Sequence, residues 1–167
     1  MKDLSVEFRT KGFIGPFKYC DSGKAASLAE ALNRFPRHFL PWEKGRHVVA
    51  NDAVEIAEGP DILDKVSLLL GENILLSGSQ LIIQAPDKVH KWHTDLEHLE
   101  WEGVTLWMGL KNVSETECIS VISGSHLFDV TPQQFGLEGV DLANDEAVLR
   151  AAKSISPESE LVRIDIH

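Results

Sequence analysis

The side chains best able to do chemistry crowd into one stretch, His90-Lys91-Trp92-His93-Thr94-Asp95-Leu96-Glu97-His98-Leu99-Glu100-Trp101. Three of the seven histidines and two of the four tryptophans fall there. His93 and Asp95 stand two apart, and in an extended segment residues i and i+2 project to the same side. An imidazole nitrogen and a carboxylate oxygen can then reach one divalent ion. That is two thirds of the two-histidine, one-carboxylate facial triad that holds Fe(II) in non-haem oxygenases. The spacing alone is a weak signal. With 7 histidines and 26 acidic residues among 167, about one His-x-acid pair is expected by accident. The chain has two, His93/Asp95 and His98/Glu100. A solvated, charge-rich loop is the plain alternative. A zinc site on His90, His93 and His98 is another, although no Cys-x-x-Cys or His-Glu-x-x-His pattern accompanies these histidines.

The elements that must position these residues are readable in part. A helix is expected where Ala25, Leu28, Leu32 and Phe35 share a face, with Asp21 or Ser22 as cap and Pro36 as stop. A second runs from Pro60 through Ile62, Leu63, Val66, Leu69 and Leu70 to a capping Gly71. A third covers Asp145 to Lys153. Phe8 to Tyr19 reads as a short strand and a turn at Gly15-Pro16, and Pro36 to His47 as a loop. Extended character is expected over Asn73 to Ile83, over Val104 to Leu110 with its two distinct faces, at Ile119 to Ile122, and over Leu161 to Ile166. Helices first and strands after suggest an α+β, mainly β, architecture with helices on one side of a largely antiparallel sheet.

Composition bounds the function. The 167 residues suit a single domain. A formal charge of −10 argues against a general nucleic-acid binder, which would carry a basic footprint. It leaves room for a locally positive pocket. Two cysteines, Cys20 and Cys118, make no disulfide framework. Neither a signal core nor a membrane-length apolar run is present, so a soluble, cytoplasmic protein with no membrane span is expected. Oligomeric state is not readable.

From Gln80 to Phe128 the sequence resembles the phytanoyl-CoA dioxygenase family of Fe(II)/2-oxoglutarate oxygenases. Three blocks carry the resemblance: Ser79-Gln80-Leu81-Ile82-Ile83-Gln84-Ala85-Pro86; Lys91-Trp92-His93-Thr94-Asp95, similar to a Trp-His-x-Asp core; and Thr105 to Leu110, Ser114 to Glu117 and Val121-Ile122-Ser123-Gly124-Ser125-His126, similar to a strand, a polar turn and a Pro-Gly-Ser-His ending with serine at 123. The resemblance implies a double-stranded β-helix (a cupin-like jelly roll) with N-terminal helices. It implies His93 and Asp95 as iron ligands, Gln80 and Trp107 as residues lining the 2-oxoglutarate pocket, and His126 as a structural histidine. Fe(II), 2-oxoglutarate and O2 would then serve to hydroxylate an unactivated carbon of a small-molecule or acyl substrate. An intact Asp95 favours hydroxylation over halogenation. The polar, acidic stretch 129–160 is expected as an insertion over the pocket mouth.

The sequence departs from the family pattern at its end. The distal histidine and the arginine that pairs 2-oxoglutarate are not among these residues; His167 and Arg163 do not match them. The chain therefore reads as the N-terminal portion of a longer oxygenase domain, a jelly roll incomplete at its C-terminus and inactive by itself. The competing reading is a non-catalytic jelly-roll binding module that lacks the distal ligand.

Overall fold

A computed structural model describes residues 3–85, 88–95, 102–113 and 119–165. The elements are α1 (Leu4–Lys11), α2 (Ser22–Asn33), α3 (Arg46–Val49), α4 (Asn51–Ala57), α5 (Pro60–Leu70), β1 (Ile119–Ile122), α6 (Pro132–Leu137), α7 (Asp145–Ile155) and β2 (Leu161–Ile164), with 3-10 turns at Arg37–Phe39 and Ser125–Leu127. The chain divides into two compact units. One comprises Met1–Pro16, Gln84–Leu106 and Glu115–Ile166; the other is built on Phe17–Ile83 and Trp107–Ser114.

The jelly roll expected from the resemblance is not what the chain forms. Among the described residues the sheet has two strands, β1 and β2, paired antiparallel with Ile119 opposite Ile164 and Ile122 opposite Leu161. The rest is helix and irregular chain, so the mainly β, cupin-like expectation is corrected to a helix-rich fold with one β-hairpin-sized ladder. The physical reason lies in pairing. Alternating apolar residues make a segment fit to be a strand, but a strand exists only where a neighbour takes its N–H and C=O groups. Residues 73–83 carry one isolated parallel bridge, Ser79 to Gly45, and residues 104–110 carry none. The alternation there does not sort into a buried and a solvated face either, since Leu106 is 54% and Trp107 39% exposed.

In the first unit, α7 supplies the core. Asn144 caps it by accepting from the Ala147 N–H at 3.0 Å, and Asp145 and Glu146 in its first turn favour the positive end of the helix dipole. Val148 and Ala152, one turn apart, are buried with Ile122 of β1, and Trp92, Phe128, Val140, Leu142 and Leu149 pack around them. Burying an aliphatic side chain of this kind contributes about 1.5–3 kcal/mol. The stretch 129–160 also holds α6, opened by a capping box between Thr131 and Gln134 with Pro132 at the first helical position. The opening of the chain is helix rather than strand: the Asp3 carboxylate accepts from the Ser5 and Val6 N–H groups, and Gly12 at φ +82° closes α1.

In the second unit, Leu32 of α2, Ala50 and Ala53 form the core, joined by Phe35, Ile56, Leu81 and Leu110. Asp21 caps α2 through the Lys24 N–H at 2.8 Å. α5 starts with Pro60 and ends at Gly71. The expected loop before His47 gives way at Arg46, whose buried guanidinium donates from Nη1 to the carbonyls of Leu32 and Phe35 at the end of α2. This arginine acts as a C-terminal cap supplied from a distant part of the sequence.

Candidate metal centre

His93 and Asp95 lie in an irregular segment, residues 88–95, of the first unit. Their side chains converge: His93 Nε2 stands 3.1 Å from Asp95 Oδ1. The other ring nitrogen, Nδ1, is 2.8 Å from the Lys91 carbonyl oxygen. A carbonyl only accepts, so Nδ1 carries the proton and donates. In the neutral ring Nε2 is then a bare lone pair. A lone pair facing a carboxylate oxygen is favourable only with a cation or a proton between them. Ligand bonds of about 2.1 Å at right angles place two donor atoms about 3 Å apart, and the separation found suits that arrangement as it suits a direct His–Asp hydrogen bond. Tying the remote imidazole nitrogen to a backbone carbonyl is also how metal-binding histidines are oriented. The donor set therefore fits two ligands of one first-row divalent ion.

His90 is the next nearest imidazole, its ring centroid 4.8 Å from that of His93. Its pKa is held below the ordinary histidine value, first by burial and then by His93, with Asp95 opposing. Among the described residues no group of three or more His, Cys, Asp and Glu side chains is arranged to hold a metal. His98, Glu97, Glu100 and Trp101 fall outside the described residues, as do Pro86, Ser114 to Cys118 and His167. Gln84, Lys88, Val89, His90, Lys91 and His93 line an open hollow of about 390 Å³. Two lysines and two histidines at one hollow contrast with the net negative charge of the chain.

Gln80 and Trp107 belong to the second unit. The Gln80 amide donates from Nε2 to Glu43 Oε1 at 3.4 Å. His126 donates from Nε2 to the Arg9 carbonyl at 2.9 Å and its ring lies against Gly12, joining the turn after β1 to α1.

The partners that fix the 92–95 segment were not legible in the sequence. The Trp92 N–H donates to the Leu142 carbonyl at 2.9 Å, and the Trp92 Nε1–H donates to Asp145 Oδ1 at 2.9 Å. The Gln133 amide accepts from the Thr94 N–H and donates to the Thr94 carbonyl, both at 3.2 Å. These contacts join residues from 39 to 53 positions apart, and no local periodicity announces them. The capping box that starts α6 was the one sequence signal near Gln133. No protein-family model, curated protein or solved structure matches the chain.

Proposed function

We propose that His93 and Asp95 are the metal ligands of an Fe(II)-dependent oxygenase that hydroxylates an unactivated carbon of a small-molecule or acyl substrate, with 2-oxoglutarate and O2 as the cosubstrates the sequence resemblance names. One observation carries the reading: the His93 imidazole, its Nδ1 set 2.8 Å from the Lys91 carbonyl, brings Nε2 to 3.1 Å from an Asp95 carboxylate oxygen. Bound there, the ion would supply dioxygen activation. The chain's own part is to aim and to charge the site. Lys91 orients the imidazole and selects its tautomer. Asp95 contributes the negative charge that favours a divalent cation over water. His90, Lys88, Lys91 and Gln84 surround the adjoining hollow with donors, which suits an anionic group on the molecule bound beside the metal.

The test is anaerobic equilibrium dialysis of the chain against Fe(II). Weak binding is expected with the unaltered chain, which carries two of the ligands, and its loss is expected in His93→Ala and Asp95→Ala. Fe(II) binding of equal strength in the unaltered chain and both variants would refute the ligand assignment. Tight zinc binding that survives His93→Ala but not His90→Ala would replace it by a zinc site.

A further inference from the structure

We infer that Gln133 is a positioning residue for the metal pair, and that α6 and α7 together form the clamp that holds the pair in register. This rests on the metal-site reading above. Thr94 sits between the two ligands, and both of its backbone polar groups go to the one carboxamide of Gln133: Oε1 accepts the Thr94 N–H and Nε2 donates to the Thr94 carbonyl, each at 3.2 Å. A side chain here supplies the two bonds that a neighbouring strand would supply in a ladder. Two residues earlier, Trp92 is fixed by its backbone N–H to Leu142 and by its indole N–H to Asp145, the first residue of α7. The Trp92 ring packs with Ile122, Val148 and Ala152, while His93 turns to the open hollow. The segment is therefore held at residues 92 and 94 and presents residues 93 and 95. Rotation of the Thr94 peptide groups would swing His93 away from Asp95, and the Gln133 amide opposes that rotation. Since α6 and α7 contact each other, the stretch 131–155 acts as the support of the site.

Two consequences follow from linkage. Metal binding and order at α6 reinforce each other, because each stabilises the same arrangement of Thr94. Removing the Gln133 amide weakens metal binding without touching a ligand, as loss of partners that orient metal ligands does elsewhere.

The experiment uses the full chain and Mn(II) as the probe, with affinity read by the loss of the free-ion electron paramagnetic resonance signal. Amide hydrogen exchange at Thr94 and Val148 is followed in the same samples without metal. For Gln133→Ala the Mn(II) Kd is expected to rise by about 10–100-fold. Thr94 exchange should accelerate while Val148, in the α7 core, stays as protected as before. Gln133→Met keeps the side-chain length without either hydrogen bond and serves if the alanine variant does not fold. Mn(II) affinity within about twofold of the unaltered chain in a folded variant would overturn the inference. So would Thr94 exchange that does not change. If the unaltered chain binds no Mn(II), the metal reading itself fails and the inference falls with it; that outcome is separate, because it appears before any variant is made.

Discussion

Replacing Trp92 by Phe removes one polar atom from the support of the candidate site. The Trp92 Nε1–H donates to Asp145 Oδ1 at 2.9 Å, and the ring also packs on the Ile122, Val148 and Ala152 core. A hydrogen bond to an ionised acceptor is worth about 1.5–3 kcal/mol. The Asp145 side chain is 39% exposed, so water competes for it, and we expect about 1–1.5 kcal/mol here. Arg163, 67% exposed and 3.5 Å from Asp145 Oδ2, adds an ion pair that solvent screens to about 0.5 kcal/mol or less. A double-mutant cycle of Trp92→Phe and Asp145→Ala separates these effects. The smaller ring is common to two legs and cancels, and so does the loss of the Arg163 pair. Urea unfolding read by circular dichroism should give a coupling energy of about 1 kcal/mol with an unchanged m value. A thermal scan should show Trp92→Phe lowered by about 2–4 °C for each kcal/mol lost. Coupling below about 0.3 kcal/mol would show that the indole N–H has no energetic link to α7 and would refute the anchoring argument.

Gly12→Ala places a Cβ 2.5 Å from His126 Nδ1 and forces a side chain into φ +82°, so a loss of about 2 kcal/mol or more is expected in calorimetry. A variant as stable as its parent would contradict the left-handed cap of α1. Arg46→Met strips the Leu32 carbonyl of α2 and the Phe35 carbonyl just beyond it of their donor, in a site where the arginine is 7% exposed. It should cost about 2–4 kcal/mol in urea unfolding, with Arg46→Lys recovering part of the loss, and an unchanged midpoint would contradict the capping role.

Much of the helical framework could be read locally. α2 and α5 show caps, apolar periodicity and stop signals close to their own residues, and α2, α5 and α7 lie within a few residues of where the sequence places them. α1 departs from the strand that Gly12 and the aromatic residues after it suggest, because the Asp3 carboxylate ahead of it caps a helix. α6 was hidden in a polar stretch although Thr131, Pro132 and Gln134 spell a helix start. The widest departure from the sequence pattern lies at residues 73–83 and 104–110. Their apolar alternation is real, yet strand formation depends on a partner elsewhere in the chain, and the described residues give them no ladder.

The sequence by itself determined the short-range facts: where helices begin and end, and that a histidine and an aspartate two positions apart share a side of their segment. These need only the geometry of a few consecutive residues. Only the tertiary structure decided that Gln133 and Asp145 hold the backbone around His93, and that the described residues are rich in helix with a two-stranded sheet. Contacts across 39 or 53 residues carry a loop-closure cost that must be offset by the core around Val148, and that balance belongs to the whole fold rather than to any local pattern.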